Sequence, residues 1–362
     1  MSIFSGSYLE NDVQFLVKQI EVDEVAQEEK EVAIQTGKAH YSEMISKEYL
    51  PTKEYFDLFE TLVEMNGSKL AEAVASVAEH IHKTHPKEIT LISLLRAGTP
   101  IGVLLKRTLE QRFHRSVSHY SVSIVRDRGI DVNALDTIFN KDGRSEDSAV
   151  FIDGWTAKGV ITRELKHYVS EYNKSRGKNI SDTLMVLSDI GGTADVTSSY
   201  DDYAIPSGVL NSIVSGLVSR SIWNDQIKGE DYHGVMYYKE FEEFDRTLSF
   251  IEKIMPMALT CKTHDVANDI SKAKKQHHEM MTFVSKLQAE FKEPDINMIK
   301  PGIAEATRVM LRRVPKILYL KNETEADVQH LIRLAEDKGI PIQVDPDMPI
   351  MATALISNMK DK

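Results

Sequence analysis

The stretch SAVFIDGWTAKGVITREL (148–165) carries an aspartate, two glycines and a lysine, Asp153, Gly154, Lys158 and Gly159, at the end of an apolar run. A strand that turns through glycines into a helix aims unpaired backbone N–H groups and the positive end of the helix dipole at one spot, which suits an anion. Lys158 adds a full charge. Asp153 can accept hydrogen bonds from sugar hydroxyls or hold a metal through water. With lysine before glycine and no earlier glycine at the needed spacing, the stretch differs from a Walker phosphate loop. A tight turn needs the same glycines, so a phosphate site and a plain turn fit it equally. A second loop, ISLLRAGTPIGVLL (92–105), ends another apolar run in Arg96, Ala97, Gly98 and Thr99. Two anion loops together imply a ligand with two phosphate groups.

Other residues stand at run ends of the same kind. Arg126, Asp127 and Arg128 follow VSHYSVSIV (117–125), either as substrate contacts or as an ion-paired cluster. Asp189 closes DTLMVLSD (182–189) ahead of GGTAD, where the glycines either permit a turn or frame an acceptor contact. In AIPSGVLNSIVSGLVSR, Val209, Leu210, Val214 and Leu217 read as packing residues. His40 and Tyr41 are either part of a pocket hood or an ordinary partly buried pair. LTCKTHD brings Cys261, His264 and Asp265 together, but on one helix they would be parallel neighbours, whereas a thiol protease needs cysteine activated by histidine. The sequence therefore favours an inert small apolar cysteine. His80, His82 and His85 do not share a helical face and do not form a zinc set.

The elements that must position these residues alternate along the chain. EITLISLL (88–95), VSHYSVSIV, AVFID (149–153) and DTLMVLSD are apolar runs without strict alternation, separated by helical patterns, one of them opened by Pro100. Burial on both faces follows, hence a mostly parallel α/β sheet whose ligands lie beyond the carboxyl ends of the strands. Spacing predicts two amphipathic helices from Glu54 to Ile81, interrupted at Gly67. The first forty residues read as a weakly packed entry. After largely helical residues 241–292 and the break KEPDINMIKPG, the remainder reads as a small α/β/α unit with strands KILYL and IPIQV and a last helix from about Pro349.

With 362 residues, 42% hydrophobic and 27% charged, the chain can build two domains and a large core. It shows no membrane-length apolar run and no leader pattern, so a cytoplasmic location is expected. One cysteine excludes an intramolecular disulfide. A net charge of -11 argues against nucleic acid over the whole surface, yet Lys300 to Lys321 holds Lys300, Arg308, Arg312, Arg313, Lys316 and Lys321 against Glu305. That basic cluster fits RNA backbone contact or a solvated helix face.

SLLRAGTP resembles the pyrophosphate loop of uracil-type phosphoribosyltransferases, AVFIDGWTAKGVIT looks like a diverged phosphoribosyl pyrophosphate motif, and SVSIVRDRGID is similar to the strand before their mobile loop. Over roughly residues 30–260 the chain resembles a bacterial and phage family found with tellurite-resistance and stress genes, whose members are called phosphoribosyltransferase-like or cysteine protease StiP. HYSEMIS, SLLRAGTPIGVLL, FIDGWTAKG and IPSGVLNSIVSGLVSR carry that likeness.

The resemblance implies a phosphoribosyltransferase-type domain over 1–260, with hood elements over about 1–85. It also implies glycosyl transfer between phosphoribosyl pyrophosphate, or a ribose-phosphate nucleotide, and a base-like acceptor. Asp153 would hold ribose hydroxyls, the Thr156–Thr162 turn with Trp155, Ala157, Lys158 and Gly159 the 5′-phosphate, Arg96–Thr99 the pyrophosphate, and Mg²⁺ would bridge substrate oxygens. Gly154 stands in place of a second acid, and Lys158 in place of a threonine. The stretch 300–344 looks like the Pelota and kink-turn-binding group, with Gly302, Glu305, Thr307 and Arg308 matching its RNA-contacting helix start, Arg312 following, and Ala304 replacing the usual asparagine. That implies an RNA-binding domain over 295–362 after a helical linker, 261–294. The alternatives are a nucleotide- or RNA-sensing module without catalysis and a cysteine protease. The sequence does not fix the oligomeric state; a homodimer is compatible with it.

Overall fold

The computed structural model describes residues 4–266, 269–293, 295–313 and 315–357. Its larger unit is built on β1 (Gln14–Leu16), β2 (Ile89–Leu94), β3 (Val117–Val122), β4 (Ala149–Ile152), β5 (Trp155–Thr156), β6 (Leu184–Asp189) and β7 (Val196–Ser199). All pairings in this sheet are parallel. Across it the order is β1, β3, β2, β4, β6, β7, and β5 continues the line of β4 along β6.

Both faces are covered, which explains the unbroken apolar runs. On one face Leu91 and Val150 meet Leu70 and Val74 of α1 (Lys53–Thr84), Ile101 and Leu105 of α2 (Gly98–Phe113), and Phe250 of α4 (Thr247–Thr260). On the other, Ile92 and Phe151 pack with Leu165, Val169 and Tyr172 of α3 (Val160–Arg176).

Two expectations change here. The 32-residue α1 runs through Gly67 without a break, because a Cβ there would sit 3.1 Å from Met257 Cε; the glycine admits α4 rather than ending a helix. The amino-terminal segment is not weakly packed: Val13, Phe15 and Leu16 are buried, and β1 completes the edge of the sheet beside β3.

The smaller unit contains α5 (Ile270–Phe291), β8 (Ile299–Pro301), α6 (Ile303–Arg312), β9 (Pro315–Leu320), α7 (Gln329–Asp337), β10 (Ile342–Val344) and β11 (Ala352–Ile356). Its sheet order is β8, β11, β9, β10. Met280, Phe283 and Leu287 of α5 cover Tyr319 and Leu355 on one face; Ile303, Met310 and Leu331 cover Leu318 and Ala354 on the other. Where a last helix was expected from Pro349, all five residues of β11 are buried between β8 and β9. A short apolar run looks the same in either state until its neighbours are known.

The two units form one packed body. Asp202, after β7, accepts from the backbone N–H groups of Ile303 (2.8 Å) and Met351 (2.9 Å). Ile190, at the end of β6, joins the cluster of Met280 and Tyr319. No helix among the described residues is long and apolar enough to cross a membrane.

Candidate functional site

The Arg96 and Asp153 bends lie side by side, at the carboxyl ends of β2 and β4. A Cβ placed on Gly98 would lie 2.4 Å from the Ile152 carbonyl oxygen and 3.2 Å from Asp153 Cα, so only glycine lets the bends meet this closely. Gly98→Ala is expected to force them apart and destabilise the fold by about 3 kcal/mol; denaturant unfolding measures it, and an unchanged midpoint would refute the contact.

The strand does not turn straight into a helix after Asp153. It resumes as β5, pairing Trp155 with Ser188 and Thr156 with Asp189, and α3 begins only after Gly159, whose φ is +70°. Asp153 therefore sits in an interruption of the strand. Together the bends line a cavity of about 850 Å³.

Of the sequence candidates, Arg96, Ala97, Arg126, Asp153, Trp155, Thr156, Ala157, Lys158, Gly159 and Thr162 line this cavity, as do Glu305 and Arg308 of the smaller unit. Several others lie elsewhere. Thr99 is buried with its hydroxyl on Ser121 (2.8 Å). Asp127 is largely exposed beside Arg126, and Arg128 is ion-paired to Glu43. Asp189 is fully buried and accepts from the Thr156 hydroxyl and the N–H groups of Thr193 and Ala194, so it braces the loop after β6. Gly302 packs on Ile190, and buried Thr307 bonds the Ile303 carbonyl and His330. The Arg312 side chain lies outside the described residues.

Sequence reading missed Glu48, Tyr49, Tyr55 and Arg220, which reach the cavity from the segment before α1, from the first turn of α1 and from the turns after β7. Nothing in their local pattern marks them; they arrive by chain crossing.

Nine cations and four carboxylates line the cavity, an excess of positive charge in an acidic chain. Some are already engaged. Arg96 donates to the Val218 carbonyl (2.9 Å) and Asn211 Oδ1 (2.9 Å) and pairs with Glu48 (3.2 Å). Lys158 donates to the carbonyls of Ile296 (2.6 Å) and Ile299 (2.7 Å), which ties the Asp153 loop to the smaller unit. Arg308 lies 4.6 Å from the Trp155 ring centroid and pairs with Glu305. Arg126 donates to Asn297 Oδ1 (3.0 Å). No side-chain hydrogen bond or ion pair within 4 Å holds the Lys300 ammonium among the described residues; burial pushes it below its ordinary range, opposed by the charge of Glu305.

Burial pushes the Asp153 carboxyl up to about 7, opposed by the Gly154 N–H and Arg308. Burial, with help from Lys300, pushes the Lys158 ammonium down to about 7. The signs follow from linkage. Folded Asp153 keeps a proton that the unfolded chain releases near 3.8, so its contribution to stability falls as pH climbs from about 4 to 7. Folded Lys158 releases a proton that the unfolded chain holds to 10.5, so its contribution rises from about 7 upward. A shallow stability minimum near pH 7 is expected in urea titrations. Asp153→Asn should flatten the acid limb and Lys158→Met the alkaline one; unchanged profiles would contradict both assignments.

Cys261 lies outside the cavity. It caps α4 in extended backbone, and the chain leaves the helix there instead of carrying His264 and Asp265 along one face. Its Sγ lies 3.7 Å from the Ala71 carbonyl oxygen, 3.8 Å from that of Ala258 and 4.0 Å from Arg112 Nη1. His264 Nδ1 is 3.0 Å from Glu72 Oε1 and 3.2 Å from Ser76 Oγ, and its Nε2 is 3.0 Å from Ser198 Oγ. The carboxylate partner of the histidine is thus Glu72 of α1, not Asp265. Among the described residues, no three His, Cys, Asp or Glu side chains are grouped to hold a metal.

A parallel α/β unit with one thiol, joined to a small α/β/α unit, defines the class of protein. The chain belongs to the family described as tellurite-like stress resistance cysteine protease StiP, whose model matches residues 6–255. The PELOTA RNA-binding domain model matches residues 278–358. The chain is 39% identical to the protein named "Cysteine protease StiP" of Acinetobacter baylyi (strain ATCC 33305 / BD413 / ADP1), over 98% of this chain and 95% of that protein.

These findings overturn the expectation of a glycosyltransferase acting on phosphoribosyl pyrophosphate, since both family and relative are named for thiol proteolysis. The loop likenesses describe how a parallel sheet ends at its carboxyl edge, and that geometry is shared by unrelated activities. The coarser expectations stand: a mixed α/β protein with a mostly parallel central sheet, and a Pelota-like carboxyl-terminal domain.

Proposed function

We propose that this chain is a thiol peptidase joined to an RNA-binding unit, with Cys261 as the nucleophile. The observation that carries the assignment is that the sequence holds one cysteine, so thiol chemistry of the kind its relatives are named for has a single residue to use. Arg112 donates toward the sulphur from 4.0 Å. His264, oriented by Glu72, supplies the base.

The sulphur attacks the peptide carbonyl carbon and the C–N bond breaks. The thiol proton passes to the imidazole and then to the leaving amine, and water cleaves the resulting thioester. His264 must first release Ser198 and turn toward Cys261, a rearrangement of the 261–266 segment; catalytic hydrogen bonds often tighten only with substrate bound. The RNA-binding half of the reading is supported by the match over residues 278–358 and by the local excess of cations.

The experiment is to treat the full chain with iodoacetamide and follow cleavage of an unfolded protein substrate by mass spectrometry of new amino termini. Cleavage blocked by alkylation is expected. Undiminished cleavage by alkylated protein, or none by the untreated chain, would remove the assignment.

A further inference from the structure

The helix start expected to touch RNA does not face open solvent. Gly302 is seated on Ile190, the Ile303 N–H is held by Asp202, and Arg308 reaches across to the Gly208 carbonyl and the Trp155 ring. Glu305, Arg308 and Lys300 line the same cavity as the Asp153 loop. RNA that uses this helix start must therefore bring part of itself into the space between the two units. Behind that space, Lys158 bonds the carbonyls of Ile296 and Ile299, and Asp202 bonds Ile303 and Met351. These contacts close the units on each other, so the cavity admits a strand end rather than a continuous duplex.

The chemistry of the lining narrows the ligand further. A volume of about 850 Å³ is of the size that small ligands occupy, enough for one or two nucleotides and too small for a helix. Lys300 reaches the cavity with no side-chain hydrogen bond or close ion pair among the described residues, Arg126 and Arg308 line it too, and the carboxylates there are Glu48, Asp153, Asp295 and Glu305. At the rim Tyr49 is 71% exposed, with Lys47 5.6 Å from its ring centroid. An exposed aromatic ring beside cations is how single strands are held without sequence reading: bases stack and phosphates are paired.

We propose that this interdomain cavity binds the phosphorylated end of a single-stranded RNA, with the terminal phosphate on Lys300, Arg126 and Arg308 and a neighbouring base stacked on Tyr49. The assignment rests on the reading that the chain binds RNA and specifies where and by which end. A terminal phosphate monoester carries more charge than an internal diester, which matches the surplus of cations along the lining.

The test is fluorescence anisotropy on the full chain with one eight-nucleotide single-stranded RNA in three forms: 5′-phosphate, 3′-phosphate and hydroxyl at both ends. One phosphorylated form is expected to bind at least tenfold more tightly than the hydroxyl form. Lys300→Met should abolish that preference while hydroxyl RNA still binds, with Arg126→Met as a second variant should the first fold poorly. Tyr49→Ala should weaken all three forms about fivefold, in line with the loss of one stacked base. Equal affinity for the three forms, or a preference unmoved by both cation variants, overturns the end-binding site while the RNA reading stands. Adenosine monophosphate competing as well as the phosphorylated RNA overturns it in favour of a free nucleotide. No binding of any form removes the RNA reading itself.

Discussion

Cys261→Ser is expected to lower peptide hydrolysis by roughly 10⁶-fold, the scale on which loss of a catalytic nucleophile is felt, while the melting temperature stays close to that of the unaltered chain. The two readouts separate because the sulphur does little for the fold. It is partly buried, its contacts at 3.7 to 4.0 Å are weak, and serine is nearly the same size. His264→Ala should lose activity comparably, since without the imidazole the thiol has no base. Glu72→Gln should lose less, because orienting a base is worth less than supplying one. The structural contacts of His264 predict something different. If the imidazole only ties α1 to β7 through Glu72, Ser76 and Ser198, His264→Ala will lower stability and leave the reaction of the thiol with iodoacetamide unaltered in rate and pH profile. A base role will shift that profile.

Asp202→Ala should loosen the smaller unit from the larger. The Asp202 carboxylate takes the N–H of Ile303 at the first turn of α6 and that of Met351 just before β11. Burial pushes this carboxyl up to about 6, opposed by those donors. Removing it leaves two N–H groups unsatisfied at an interface, at a cost of about 1 to 3 kcal/mol each. The interface also holds Ile190 against Gly302 and Lys158 against two carbonyls. The expected outcome is faster hydrogen exchange at Ile303, Met351 and Ala352 and a lower unfolding midpoint, with exchange in β2 and β4 unchanged. Uniform exchange throughout would show that Asp202 does not govern docking. Asp202→Asn is a useful companion, since its amide turns N–H groups toward donors and should recover only part of the loss.

Much of this architecture is legible in one dimension. Runs such as ITLISL and AVFI carry apolar residues at every position, and only a strand covered on both faces has a use for that pattern. The bends at Arg96 and Asp153 were readable as loops at the carboxyl edge of that sheet, and the structure places them side by side on one cavity. What those bends serve was not readable: the likeness to phosphate loops pointed to a sugar transferase, whereas the family and relative are named for proteolysis. A loop shape reports where backbone N–H groups point and not which reaction follows. Gly67 reads as a helix break in the sequence because its packing partner, Met257, lies 190 residues away. The last strand reads as a helix in the sequence because β8 and β9, which flank it, are invisible in its own residues.

The sequence by itself determined the parallel α/β core, the basic stretch from Lys300 to Lys321 and the single thiol, since each depends on residue type and local period. Only the tertiary structure decided that the two units share a cavity, that Lys158 and Asp202 hold them together, and that Glu72 rather than Asp265 partners His264. Those facts rest on distances between residues far apart in the chain, and local periodicity carries no information about such distances.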